Sequence, residues 1–215
     1  MAGVLVAATP GGASASACAS CWTEFQTVNP SPHYNVLHGA AVLSPSSAWA
    51  VGRYRNGTTL IEHWNGTSWK HVSSPNPSHV NILNGVAASS ATDIWAVGFY
   101  ANADNGTGQT LTEHWNGTRW AQVPSPSPDG DSSLGGVAAT SASNAWAVGS
   151  YDNGTTGQPL IEHWNGTSWR HQLSPNPGGS DNYLYALAAT SSSNAWGVGG
   201  TYSDNVIDTL AVHCC

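Results

Sequence analysis

Charge is what this 215-residue chain has least of. Five Lys or Arg stand against twelve Asp or Glu, only 8% of the residues, for a formal net charge of -7. The usual share is about a quarter. A nucleic-acid binder needs a basic stripe, and none exists, so nucleic acid is excluded as a partner. No run of about 18 apolar residues occurs, so there is no transmembrane segment to read. No unit has a helical apolar period, and Gly, Pro and β-branched residues are spread throughout, which excludes a helical solenoid. The chain also lacks a G-x-S-x-G elbow, an H-E-x-x-H helix and a Gly-rich phosphate loop leading into a helix. Gly, Ser, Thr, Asn and Pro carry the polar surface instead. The composition is not that of a disordered chain, because 11 Trp and 7 Tyr need burial or a ligand. Sparse charge on a strand-rich surface gives little defence against self-association.

What is present is one tryptophan-rich sentence written four times. Its anchors are Trp49, Trp95, Trp146 and Trp196, spaced by 46, 51 and 50 residues. The second copy divides into four short apolar segments, 83–89, 94–100, 110–115 and 120–123, separated by Asx, Gly, Ser and Pro. Asn65-Gly66, Asn116-Gly117 and Asn165-Gly166 join the third segment to the fourth, each between two tryptophans. Asn-Gly between aromatic strands predicts a tight hairpin with positive φ at both turn positions, braced by aromatic cross-strand pairs. Four strands recurring near every 50 residues predict an all-β fold, a four-bladed β-propeller. A β-sandwich would not require such similar units, and a β-helix has shorter coils.

The ends of the array are offset. Residues 22–29 align with the strand that starts at Trp69, so they form an orphan fourth strand. The last copy stops after VIDTLAVHCC, with His213 at the position of His163 and Cys214 at that of Trp164. The N-terminal strand is therefore expected to complete the last blade, either in cis or in a neighbouring chain, the second giving a swapped ring or a filament. Residues 1–20 form a leader-like or assembly segment, and 21–215 the four-repeat domain. The leader-like stretch ends at Ala15-Ser16-Ala17, an A-x-A-like site without a basic residue ahead of it.

All four cysteines lie at this seam. A disulfide between Cys18 or Cys21 and Cys214 or Cys215 would replace the missing covalent turn, with a nominal loop-entropy effect of about 4–5 kcal/mol. Three pairings are open, and such use implies an oxidising, extracellular setting. A thiolate–imidazole metal site with His213 and free thiols are the competing readings; the expected outcome is no metal and no cofactor.

The repeated Glu-His-Trp triplets at 62–64, 113–115 and 162–164 invite an acid–base reading. On a strand, however, Glu and Trp share one face and His takes the other, so they form no same-face dyad. A structural role at a blade junction comes first, and a repeated ligand pocket second. Trp49, Trp95, Trp146 and Trp196 are expected to pack between blades. The hairpin tryptophans Trp64, Trp115 and Trp164, with His63, His114 and His163, are the ligand candidates, since an aromatic with a polar rim suits a sugar. Asp129 and Asp131 resemble a calcium loop only loosely and are read as turn caps. Asn56, Asn65, Asn105, Asn116, Asn153 and Asn165 open N-x-T triplets that fit glycosylation, although turn chemistry already explains three of them.

The motifs D-I-W-A-V-G, E-H-W-N-G-T-S-W and S-P-N-P resemble secreted β-propeller repeat proteins of environmental bacteria, kelch- or galactose-oxidase-like in repeat architecture, over residues 22–215. The copper chemistry of galactose oxidase does not carry over, because no tyrosyl–cysteine arrangement is identifiable. The resemblance implies a secreted, noncatalytic binding or adhesion module with glycans or a cell-surface polymer as partners. The alternative is a self-assembling structural subunit of a ring or filament, a homo-oligomer linked by terminal strand exchange. A glycan-active enzyme ranks third, for want of two unique facing carboxylates.

Overall fold

The computed structural model describes residues 23–55, 57–101, 106–128, 130–177, 180–203 and 206–214. They form four antiparallel sheets in chain order. The first holds β1 (Asn35–Ser44), β2 (Ser47–Tyr54), β3 (Thr58–Trp64) and β4 (Trp69–His71). The second holds β5 (Asn81–Ser90), β6 (Asp93–Ala101), β7 (Gly108–Trp115) and β8 (Trp120–Gln122). The third holds β9 (Ser132–Ser141), β10 (Asn144–Asp152), β11 (Gly157–Trp164) and β12 (Trp169–Gln172). The fourth has β13 (Asp181–Ser191), β14 (Asn194–Ser203) and β15 (Val206–Cys214). Each sheet runs in simple sequence order. The four segments expected in the second copy are β5 to β8; β5, β6 and β7 extend one or two residues further at one or both ends, and β8 stops one residue earlier.

The shared W-[AG]-V-G sentence has a separate physical reason for each letter. The second strand of every sheet alternates faces, so Trp and Val project together toward the next sheet. Trp49 and Val51 join Leu83, Val86, Ile94, Leu111 and Trp120 in the core between the first and second sheets. Trp95 and Val97 join Leu134, Val137, Leu160 and Trp169 between the second and third. The glycine that follows is forced by a bulge in the neighbouring first strand. Pairing slips between Leu83 and Gly85, opposite Gly98, and a Cβ on Gly98 would stand 1.9 Å from the Ile82 carbonyl oxygen. The same clash, at 1.9, 1.9 and 1.8 Å, holds for Gly52, Gly149 and Gly199.

The hairpins differ from the two-residue turn expected. Trp64 pairs with Trp69, Trp115 with Trp120, and Trp164 with Trp169, so four residues, not two, form each loop. Only the glycine is left-handed, with φ of 92, 92 and 93°. The asparagine works through its side chain. Asn65 Oδ1 accepts from the amides of Thr67 and Ser68 and from the Thr67 hydroxyl, and Asn116 and Asn165 repeat the set. A polar side chain that satisfies the loop amides removes the need for a positive φ at Asn.

The first strands β1, β5, β9 and β13 lie side by side along the inner edge of the array. Neighbouring sheets pack in the order first to second, second to third, third to fourth, and β1 and β13 do not pack on each other in that way. The array is therefore a propeller-like arc, and the expected closure of four blades into a ring is not seen. Nor does the N-terminal segment complete the last sheet: residues 23–29 belong to no strand. In β4, β8 and β12 the fourth strand is held by the third strand of its own sheet, and among the described residues 23–29 have no such neighbour beside them.

Candidate functional site

The first two junctions between sheets are built from the same four groups, and the Trp–His pair among them recurs in the third and fourth sheets. The second-strand Trp stacks on the third-strand His beside it: Trp49 on His63 at 4.4 Å, Trp95 on His114 at 4.5 Å, Trp146 on His163 at 4.1 Å, Trp196 on His213 at 4.2 Å. The imidazole Nε2 is tied to the strand's entry residue, Ser47 at 3.1 Å, Asp93 at 2.7 Å, Asn144 at 2.7 Å and Asn194 at 3.1 Å. Burial lowers the affinity of His63 and His163 for a proton. On the far side, the Trp meets the hairpin pair of the next sheet. Trp49 lies 5.0 and 5.5 Å from Trp115 and Trp120, and Trp95 lies 4.8 and 4.9 Å from Trp164 and Trp169. Of the six candidate ligand residues, Trp115 and Trp164 pack across the first two junctions, while His63, His114 and His163 contact the Trp of their own sheets. Trp64 pairs with Trp69 of its own hairpin and also touches Phe25 at 4.9 Å. All six are half-buried.

The glutamates face the opposite way from the histidines, as strand alternation requires. Glu62, Glu113 and Glu162 are fully buried. Both oxygens of Glu113 and Glu162 lack a well-formed hydrogen bond, although the Ser74 hydroxyl lies near enough to Glu113 to offset part of the effect. Burial pushes both carboxyls up to about 8, because an ionised carboxylate there loses its hydration without a paired cation. Burial also raises Glu62, opposed by the Val28 amide, which donates to its Oε2 at 3.2 Å. Sequence reading found these glutamates but not their protonated state, which depends on the neighbouring sheet.

The fourth sheet departs from the pattern on both faces. Toward the third sheet, Val212 stands where the others have Glu, Cys214 stands where they have the hairpin Trp, and among the described residues no fourth strand is present. A notch of about 280 Å³ results, lined by Trp146, Val148, Leu173, Leu187, Val212 and Cys214, among others. The third junction core is correspondingly small: Val148, Leu184, Leu210 and Val212. On the outer face the contrast is sharper. Trp49, Trp95 and Trp146 are 3, 0 and 5% exposed, whereas Trp196 is 52% exposed; Val51, Val97 and Val148 are 0, 0 and 2% exposed, whereas Val198 is 48%. Tyr185 and Ile207 are exposed on the same sheet.

Cys214 is a half-buried free thiol. Cys18, Cys21 and Cys215, the other disulfide candidates, lie outside the described residues, as do the leader-like segment 1–20, Trp22, Asn56, Asn105 and Asp129. Asp131 accepts from the Gly108 amide at 2.6 Å, a backbone cap. Among the described residues no group of three or more His, Cys, Asp or Glu is placed to hold a metal, and no helix is long and apolar enough to cross a membrane.

No family model matches the chain, and no curated protein does. Among solved structures, it is similar to YCF48 bound to D1 peptide, at 17% identity and a TM-score of 0.45, over 81% of this chain and 53% of that one. It is also similar to YCF48 from Cyanidioschyzon merolae, at 15% identity and a TM-score of 0.48, over 75% of this chain and 47% of that one. The chain spans about half the length of these structures.

Proposed function

We propose that this chain is a noncatalytic extracellular binding module of propeller type that takes an extended polypeptide strand on its fourth sheet. The observation that carries the reading is the outer edge of the fourth sheet. Among the described residues no strand pairs with that edge of β15, and beside it the notch stands where two tryptophans pack in each of the first two junctions. An added strand would gain main-chain hydrogen bonds along β15 while its side chains enter the notch, the two components of strand-addition recognition. Extracellular placement is supported by the leader-like segment of the sequence. A labelled peptide copied from residues 169–175, the third sheet's own fourth strand, tests the reading. Saturable 1:1 binding is expected, weakened by Cys214→Arg, which puts a charge into the notch. No binding at about 1 mM, the bottom of specific recognition at roughly -4 kcal/mol, would sink it.

A glycan remains a second proposed ligand class. It is favoured by the position of half-buried Trp64, Trp115 and Trp164 beside exposed Asn65, Asn116 and Asn165, an apolar face with a polar rim. Glycan-array binding that is lost in Trp64→Ala would support it; an array without signal would remove it.

A further inference from the structure

We infer that the second sheet carries a binding site for an uncharged saccharide, set between Tyr100 on β6, Gln109 on β7 and Gln122 at the end of β8. The inference rests on the glycan class proposed above and moves it from the hairpin tryptophans to a cavity at the other end of β7.

The first ground is what the second copy of the repeat changes. Tyr54, Tyr100 and Tyr151 hold one position on the second strand, directly opposite the third-strand residues Thr58, Gln109 and Gln158. On the fourth strand, the residue opposite the buried glutamate is His71, Gln122 or His171. In the first and third sheets that histidine closes on the tyrosine, with ring centres 6.0 and 5.9 Å apart. Gln122 leaves Tyr100 without that cover. The tail beyond the fourth strand differs as well. By sequence, Ser127 corresponds to Asn76 and Asn176. Asn176 donates to Oε1 of Gln158 and ties the third tail to its sheet. The shorter Ser127 is held on Thr110 instead, accepting from its amide at 2.9 Å. The second sheet is left with a cavity of about 480 Å³, within the size range of small-molecule sites.

The second ground is the chemistry of the lining. Thr110 is buried and acts as the hub. Its hydroxyl donates to the Pro126 carbonyl at 2.9 Å and accepts from the hydroxyls of Ser125 and Ser127 at 2.7 and 2.8 Å. Both serine hydroxyls are thus fixed before a ligand arrives, which lowers the ordering cost of binding. Among the described residues no hydrogen bond engages the Tyr100 hydroxyl or the Gln122 carboxamide, and both line the cavity. No Asp, Glu, Lys or Arg is among the lining residues, so a charged ligand would lose hydration without a counter-charge. The apolar lining is little more than the Tyr100 ring and Pro124, too little for a wholly apolar ligand. Hydroxyls and carboxamides each offer both a donor and an acceptor. Sugar hydroxyls match that set, and the Tyr100 ring can cover the C–H face of a pyranose. Without paired carboxylates in the lining, the site binds a glycan and does not cleave it.

The test is an NMR titration of the whole chain with uncharged sugars: glucose, galactose, mannose, N-acetylglucosamine and the disaccharides built from them. At least one is expected to shift the side-chain carboxamide signals of Gln109 and Gln122 saturably, with a Kd of about 0.1–10 mM. Gln122→His installs the residue that the first and third sheets carry at this position, so the backbone spectrum should be retained while binding weakens about tenfold or more. Ser127→Asn, also a residue of the sister sheets, should act in the same direction and keeps the test valid if either variant misfolds. No shift of the two glutamines by any uncharged sugar at about 50 mM overturns the inference. So does a sugar acid that moves them when no uncharged sugar does, or binding that both variants leave intact. If a sugar binds and Trp64→Ala abolishes it while Gln122→His does not, the cavity inference falls and the hairpin glycan reading stands; if no sugar binds at all, both fall.

Discussion

Stability should fall as pH rises from 6.5 to 8, the reverse of what neutralising histidines alone would give. Glu113 and Glu162 are fully buried between sheets, and their carboxyls hold a proton up to about pH 8 in the fold. Unfolded, they ionise near the ordinary value of 4.5. The fold binds more protons than the unfolded chain over that interval, so each carboxyl's contribution is complete below pH 4.5 and is lost as pH rises through 8. Linkage gives a loss of about 1.6 kcal/mol per carboxyl between pH 6.5 and 8, or about 3 kcal/mol for the pair. Glu62 acts in the same direction. His63 and His163 act in the opposite one, since their proton affinity is lowered by burial. Their effect is confined mainly to pH values below the ordinary 6.5, leaving the upper window to the glutamates. With a urea dependence of about 2 kcal/mol per molar, the unfolding midpoint should drop by about 1–2 M across this window. The isosteric pair Glu113→Gln and Glu162→Gln should remove most of the drop. A wild type equally stable at pH 6.5 and 8, or a Gln variant with an undiminished slope, would refute the burial argument.

Other perturbations separate the elements of the repeat. Trp95→Ala removes a fully buried plug between two sheets and should cost about 3–5 kcal/mol by urea unfolding; Trp196→Ala, half exposed, should cost under about 1 kcal/mol. Equal costs would contradict the open face. Gly98→Ala drives a methyl into the Ile82 carbonyl and should destabilise by about 2 kcal/mol or more; a neutral result would show that the bulge yields. Asn116→Ala removes three hydrogen bonds from an exposed loop and should cost about 1 kcal/mol, against near zero if the glycine alone sets the turn.

The sheets were legible because the period, the Asn-Gly joins and the alternation of Glu, His and Trp are local features. Alternation alone put His63 and Glu62 on opposite faces of their strand. The turn type was misread because Asn-Gly specifies a turn without specifying how many residues the flanking tryptophans leave outside the ladder. Closure was not legible for a different reason. The match between residues 22–29 and the absent fourth strand identifies complementary pieces, but the rotation between successive sheets decides whether one chain can bring them together. That rotation is set by packing between Trp49 and the Trp115–Trp120 pair, and by its equivalents, none of which is encoded within a single repeat. The raised carboxyls were hidden likewise, since Glu113 is buried by the sheet that precedes it.

Backbone hydrogen exchange on β15 tests the central claim most directly. The amides of Ala211 and His213 correspond to those of Ile61 and His63, the latter paired with Lys70 of β4, and they point to the unpaired edge by strand alternation. Both should exchange rapidly in the free chain and become protected when it binds the strand peptide, while β14 amides stay protected throughout. If Ala211 and His213 are already protected in the free chain, or stay unprotected when the peptide is bound, the fourth sheet does not receive an added strand as described.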